Sequence, residues 1–158
     1  MIVGNGQSIL FEKYAKDFSY SQPQTIMSIT KMFANLFVGE LLKNKKINLN
    51  KNVSYYLPKI GSGYANAKVQ DILNMNVVNA YTEDYTKAYS SSFMHEPVGG
   101  WRLPKSGQIK LSQEQYLNTI KNIKNRDLKN NTEYALYKSA NTDAVSYTHL
   151  TLPTKSRG

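Results

Sequence analysis

The chain has 158 residues, a formal net charge of +9, a 41% hydrophobic fraction that includes 12 Tyr and 5 Phe, and no cysteine. That is enough for one domain with a modest core and too apolar for a disordered chain. It excludes disulfides, thiolate catalysis and cysteine-ligated zinc, and two histidines, His95 and His149, are too few for a histidine-built centre, so no metal or cofactor is expected. The lysines are scattered rather than gathered with interleaved aromatics, which argues against a nucleic-acid partner. No run of 18 apolar residues predicts a membrane span. Asn5, Gly6 and Gln7 interrupt the short apolar start, so Met1 opens no signal peptide. The compartment stays open between cytoplasmic and periplasmic or exported.

In chain order, Ile2-Val3, a Gly4-Asn5-Gly6 turn and Gln7 to Tyr14 read as a hairpin, followed by a polar loop from Lys16 to Thr25. From Ser28 to Asn44, the residues Ile29, Met32, Phe33, Leu36, Phe37 and Leu41 recur at three- and four-residue steps, which predicts a buried helix beginning near Met27 or Ser28. A solvated exit runs to Asn52, where Asn44 ends the helix and Leu49 anchors the return. Gly61-Ser62-Gly63 then breaks the chain before a helix expected from Asn66 to Met75. From Asn76 to Gly107 a long loop is marked by Pro97, Gly99, Gly100 and Pro104, and long loops are often functional. Helical spacing returns from Leu111 to Lys124, with Ser112 as its cap.

Chemistry concentrates at the start of the first helix. The first-turn N–H groups and the helix dipole favour negative charge on an alkoxide or oxyanion, and Lys31 stands one turn from Ser28 on the same side. A lysine among apolar side chains loses part of the solvation of its charged form, so its neutral amine becomes available as a base. Most Ser-x-x-Lys strings are solvated surface; this one opens a strongly apolar helix.

The run from Ser28 through Lys46, Ile47 to Val53, and Tyr55-Tyr56-Leu57-Pro58 resembles the serine beta-lactamase-related hydrolases of the class C and penicillin-binding type, in particular their 6-aminohexanoate-oligomer hydrolase and esterase branch. Val69 to Met75 is similar to that family's helix ending in Leu-x-Met. Glu133 to Asp143 is similar to the branch's second motif, Tyr-x-Ser-x-Asn-Thr-Asp, which places Tyr137 and Ser139. The resemblance implies an α+β fold, here a mostly helical region plus an incomplete antiparallel sheet. It implies that Ser28 is the nucleophile, Lys31 and Tyr137 shuttle its proton, and Ser139 is a hydrogen-bonding neighbour. Tyr81 to Tyr85 and Gly100 to Pro104 are similar to loops bordering the pocket, so Tyr85 and Trp101 are candidate substrate contacts. On spacing alone a core tyrosine before a polar turn is the commoner case, and a lone Trp is more often core; two motifs in family order favour the site.

The resemblance covers residues 2–144, an expected partial hydrolase domain with more chain before Met1. Val145 to Thr154 is similar instead to the conceptual translation of a transposon-type sequencing-library adapter, so residues 145–158 are expected to be a non-biological tail. Leaving out its two cations, Lys155 and Arg157, takes the charge from +9 to +7. The expected reaction is acyl transfer on a small-molecule amide or ester, with this 158-residue chain itself truncated and inactive. The rival is a non-catalytic penicillin-binding-like binding or sensor module.

Overall fold

The computed structural model describes residues 1–132 and 134–150, His149 and Leu150 as helical backbone only. Glu133, which opens the second motif, and most of the expected tail, 151–158, lie outside the described residues. The chain divides into two compact units, Met1–Thr30 and the chain from Lys31 onward.

The first unit carries the hairpin. Strands β1 (Ile2–Gly4) and β2 (Ile9–Glu12) pair antiparallel, Ile2 opposite Glu12 and Val3 opposite Phe11, with a bulge between Val3 and Gly4. Asn5 closes the turn: its Oδ1 accepts the N–H groups of Gln7 and Ser8 at 3.1 and 2.9 Å. Gly6, at φ +87°, takes the left-handed conformation that a side chain would oppose. The second strand stops at Glu12 rather than continuing to Tyr14. The unit ends in a 3-10 turn, Met27–Thr30.

The second unit is helical: α1 (Lys31–Lys43), α2 (Val53–Tyr56), α3 (Ser62–Ala65), α4 (Val69–Leu73), α5 (Ser91–His95), α6 (Gln113–Thr119) and α7 (Ser139–Leu150). Helix α7 is the hub, meeting α1, α2, α4, α5 and α6. Its Ala140, Ala144 and Val145 are buried with Val38, Leu41, Val53, Tyr64, Val69, Ile72 and Leu117. Small residues four apart share one helix face and let neighbours approach closely. Asn141, fully buried, accepts a 2.9 Å hydrogen bond from the Tyr64 hydroxyl, so the polar side chain in that face is satisfied. The α+β class, mostly helical with a two-stranded antiparallel sheet, is therefore borne out.

Several element boundaries differ from expectation. Helix α1 starts at Lys31, with Ser28 in the preceding 3-10 turn. Its end is as read: Asn44 Nδ2 donates to Glu40 O at 2.8 Å, Lys45 turns left-handed (φ 55°), and Lys46 N–H reaches Leu41 O at 2.9 Å. The expected burial is overturned. Leu41 is buried, joined by Val38, but Met32, Phe33, Leu36 and Phe37 keep 59–69% of their surface. Periodicity groups residues onto a side without saying which side meets the core, and here Val38 and Leu41 define the inward side.

The helix expected over Asn66 to Met75 forms only as α4, Val69–Leu73, while α3 occupies the segment Ser62–Ala65 expected as a break. The chain between them is extended and pairs with residues 51–53: Val53 N–H donates to Ala67 O and Val69 N–H to Lys51 O, at 2.9 and 3.1 Å. Helix α6 is shorter than its apolar spacing suggests. Ser112 and Gln115 form a capping box at its start, and Ile120 turns extended to accept the Gly63 N–H at 3.0 Å. A Cβ on Gly61 would lie 2.3 Å from Ile120 O, so a glycine is required at this approach. Inside the expected loop, Ser90 caps the short helix α5. Helix α7 continues to Leu150, and Val145 and Thr148, from the expected tail, are buried.

Candidate active site

Ser28 is exposed on the 3-10 turn, directly after Met27, which holds left-handed backbone at φ 46°. Non-glycine residues seldom adopt that conformation, and such departures gather at functional turns. Lys31 opens the second unit. Its Nζ lies 5.6 Å from the centroid of the Tyr137 ring, within the range of a cation–π contact. Residues far apart in sequence, one from each proposed motif, are thereby brought together. Tyr137 is 45% exposed.

Ser139, the first residue of α7, is fixed by Glu83. Glu83 Oε2 accepts the Ser139 N–H at 2.9 Å and Oε1 the Ser139 hydroxyl at 2.7 Å. A carboxylate there complements the positive end of the helix dipole. The Tyr85 hydroxyl also bonds Glu83, and lies 3.0 Å from Ser139 Oγ. The structure thus joins the two candidate contacts Tyr85 and Ser139. Burial, followed by the Glu83 hydrogen bond, pushes the Tyr85 phenol up to about 12, which keeps it a hydroxyl at neutral pH. Lys138 donates to Tyr81 O at 2.5 Å, and its burial lowers its pKa against the pull of Glu83. Trp101 is 68% exposed with its ring against Gly99, so it is not a core residue.

Three residues beyond the predicted set belong to this neighbourhood. Glu83 and Asp143 lay inside the segments that carry the resemblance but had no role assigned. His95 had no signal, being a lone histidine in an apparent loop. It is buried, stacks on Tyr116 with centroids 4.4 Å apart, and places Nε2 3.2 Å from Asp143 Oδ2. A separate cavity of about 300 Å³ between Met94, Val98, Ile109, Leu111 and Tyr116 includes none of the predicted site residues. Among the described residues no cluster of acidic, His or Cys side chains is suited to a metal ion, and no helix is long and apolar enough to cross a membrane.

No protein-family model matches the chain. It is 29% identical over 147 residues to the 6-aminohexanoate-dimer hydrolase of Paenarthrobacter ureafaciens, a match spanning 92% of this chain and 36% of that protein. A solved Bacillus anthracis structure, assigned by name as a 6-aminohexanoate-dimer hydrolase, shares the fold at a TM-score of 0.72 and 17% identity, covering 98% of this chain and 40% of that one. These likenesses agree with the family resemblance carried by the motifs. The chain is thus similar to 6-aminohexanoate-dimer hydrolases and spans about two fifths of their length.

Proposed function

We propose that this stretch carries the nucleophile end of a serine hydrolase acting on a small-molecule amide or ester through an acyl-enzyme. The observation that carries the reading is the approach of Lys31 Nζ to the Tyr137 ring, which pairs the two groups a serine needs to lose its proton. In the proposed step Ser28 Oγ bonds to the carbonyl carbon as its proton passes to Lys31 or Tyr137, and returns to the leaving group afterwards. The Ser28 N–H is one donor to the oxyanion. Tyr85 and Ser139, aligned by Glu83, contact the substrate, with Trp101 as a further apolar contact. The relatives' names support hydrolysis.

For the 158-residue chain alone we propose inactivity. The wide exposure of Met32, Phe33 and Leu36 beside Lys31 leaves that side of α1 wet, whereas proton transfer and oxyanion stabilisation gain from excluded water. The half-open setting of Tyr137 favours, for the isolated chain, the second reading of a non-catalytic binding module.

The test is hydrolysis of a short acyl p-nitrophenyl ester by the uninterrupted gene product that contains these residues. We expect turnover, and its loss in Ser28→Ala with folding intact. More than a few per cent of residual turnover in that variant rejects Ser28 as nucleophile. A fluorophosphonate probe that labels Ser28 separates the enzyme from the binding module.

A further inference from the structure

Between the two candidate site residues of the second motif, Tyr137 and Ser139, stands a half-buried lysine to which the acyl-transfer reading gives no task. Lys138 Nζ donates to Tyr81 O at 2.5 Å and lies 3.4 Å from Asn79 O, with the Tyr81 ring centroid 6.0 Å away. Bonds of this kind, from a lysine to a carbonyl, are stronger than those between two neutral groups. Nζ is committed to the backbone of one segment.

That segment is itself fastened on three sides. Asn79 and Tyr81 are buried; Asn79 Nδ2 donates to Gly63 O in α3 at 3.2 Å, and its Oδ1 accepts the Tyr81 N–H at 3.2 Å. Ala80 N–H reaches Lys121 O, beyond α6, at 2.9 Å. Thr82 O accepts the Ser92 N–H at 3.0 Å, and Asp84 N–H donates to Ser92 Oγ at 2.7 Å, which ties the segment to α5. Residues 79–84 therefore form a fixed rail.

The second motif grips this rail at consecutive residues. Lys138 holds the carbonyls of residues 79 and 81 through its side chain, and Ser139 holds Glu83 through its N–H and its hydroxyl, at 2.9 and 2.7 Å. On the other side of Tyr137, Leu136 N–H is bonded to Met75 O at 2.7 Å. Tyr137 thus sits between two tied neighbours. The two lysines near it are placed for different work: Lys31 Nζ lies 5.6 Å from the centroid of its ring, whereas Lys138 Nζ is turned to the rail.

We propose that Lys138 is a positioning residue for Tyr137, fixing the backbone next to the tyrosine so that the phenol stays where it can exchange a proton with the nucleophile. The inference rests on the acyl-transfer reading. Lys138 itself gives and takes no proton in that step; the proton leaving Ser28 Oγ still passes to Lys31 or Tyr137. Its contribution is geometric, and displacing a reacting group by about 1 Å can cost roughly a hundredfold in rate.

The test begins with the 158-residue chain labelled with 15N-lysine. Exposed lysine N–H groups exchange with water too fast to be seen, so at mildly acidic pH and low temperature a protected Nζ signal is expected that Lys138→Arg removes. No protected signal, or one that survives Lys138→Arg, overturns the proposal. In the uninterrupted gene product, Lys138→Met should lower kcat for the p-nitrophenyl ester by about ten- to a hundredfold with KM little changed, and Lys138→Arg, which keeps donors for the two carbonyls, should restore most of it. A loss that Lys138→Arg does not restore overturns the proposal. In a Tyr137→Phe background, Lys138→Met should have little further effect on kcat, because the group it positions is gone. An equal fold-loss in both backgrounds marks a merely structural lysine and overturns the proposal. Turnover that survives Ser28→Ala or Tyr137→Phe overturns the acyl-transfer reading and this role with it. Turnover that requires both residues and is indifferent to Lys138→Met overturns this role alone.

Discussion

Helices α1 and α7 have nearly the same length and opposite relations between pattern and burial. Helix α1 carries the strongest apolar periodicity in the chain, yet four large side chains of its stripe are exposed while Val38 and Leu41 meet the core. Helix α7, Ser139–Leu150, mixes small and polar residues and buries Ala140, Asn141, Ala144, Val145 and Thr148. What separates them is fit. Small side chains and satisfied polar groups let α7 be surrounded, whereas a stripe of Phe, Leu and Met secures burial only where a partner surface exists.

The comparison can be broken by substitution. Asn141→Ala is expected to be the most damaging change: it strips the buried Tyr64 hydroxyl of its acceptor and leaves space in the hub, costing about 1–3 kcal/mol. Over a chain of this size that lowers Tm by about 2–4 °C per kcal/mol, as thermal denaturation would show. Next, Glu83→Ala removes the acceptor of the Ser139 N–H at the start of α7 and should cost about 0.5–2 kcal/mol by the same measurement.

Acid offers a sharper probe of the hub. Burial holds the folded-state pKa of His95 below 6.5, so the unfolded chain binds the proton more readily. The stability that follows from a neutral ring is present above about pH 6.5 and is lost as pH falls toward the folded-state value. Asp143 works in the opposite sense: its folded-state value is raised above 3.8, favouring the fold only when protonated. Tm should therefore decline first as the pH drops from about 7, and His95→Gln should flatten that decline. The smallest effect is expected on α1, where Phe33→Ser and Leu36→Ser should change stability by no more than about 0.5 kcal/mol. A loss of several kcal/mol there would contradict the exposed stripe.

These contrasts explain what could be read in the residues. The hairpin turn was legible because Asn5 and Gly6 act locally, as were the Ser112 cap and the end of α1 at Asn44. The late start of α4 at Val69 was not: it depends on backbone pairing of residues 67–69 with 51–53, to which no local preference points. Pattern identified the α1 stripe but not its side. At the site, motifs brought forward Ser28, Lys31, Tyr137 and Ser139, and loop likeness Tyr85 and Trp101. His95 escaped because its importance lies in partners from α6, α7 and the segment before α5, none adjacent in sequence.

The Tyr64–Asn141 bond joins residues 77 positions apart at the centre of the hub. On a ribosome elongating at about 5–20 residues per second, Tyr64 emerges roughly 4–15 s before its acceptor has been made. Throughout that interval α2, α3 and α4 must wait with the face that α7 will cover still open, and closing so long a loop is entropically slow. The nascent chain thus passes through a seconds-long stage in which holdase chaperones and proteases meet its future core, and the synthesis of α7 ends it.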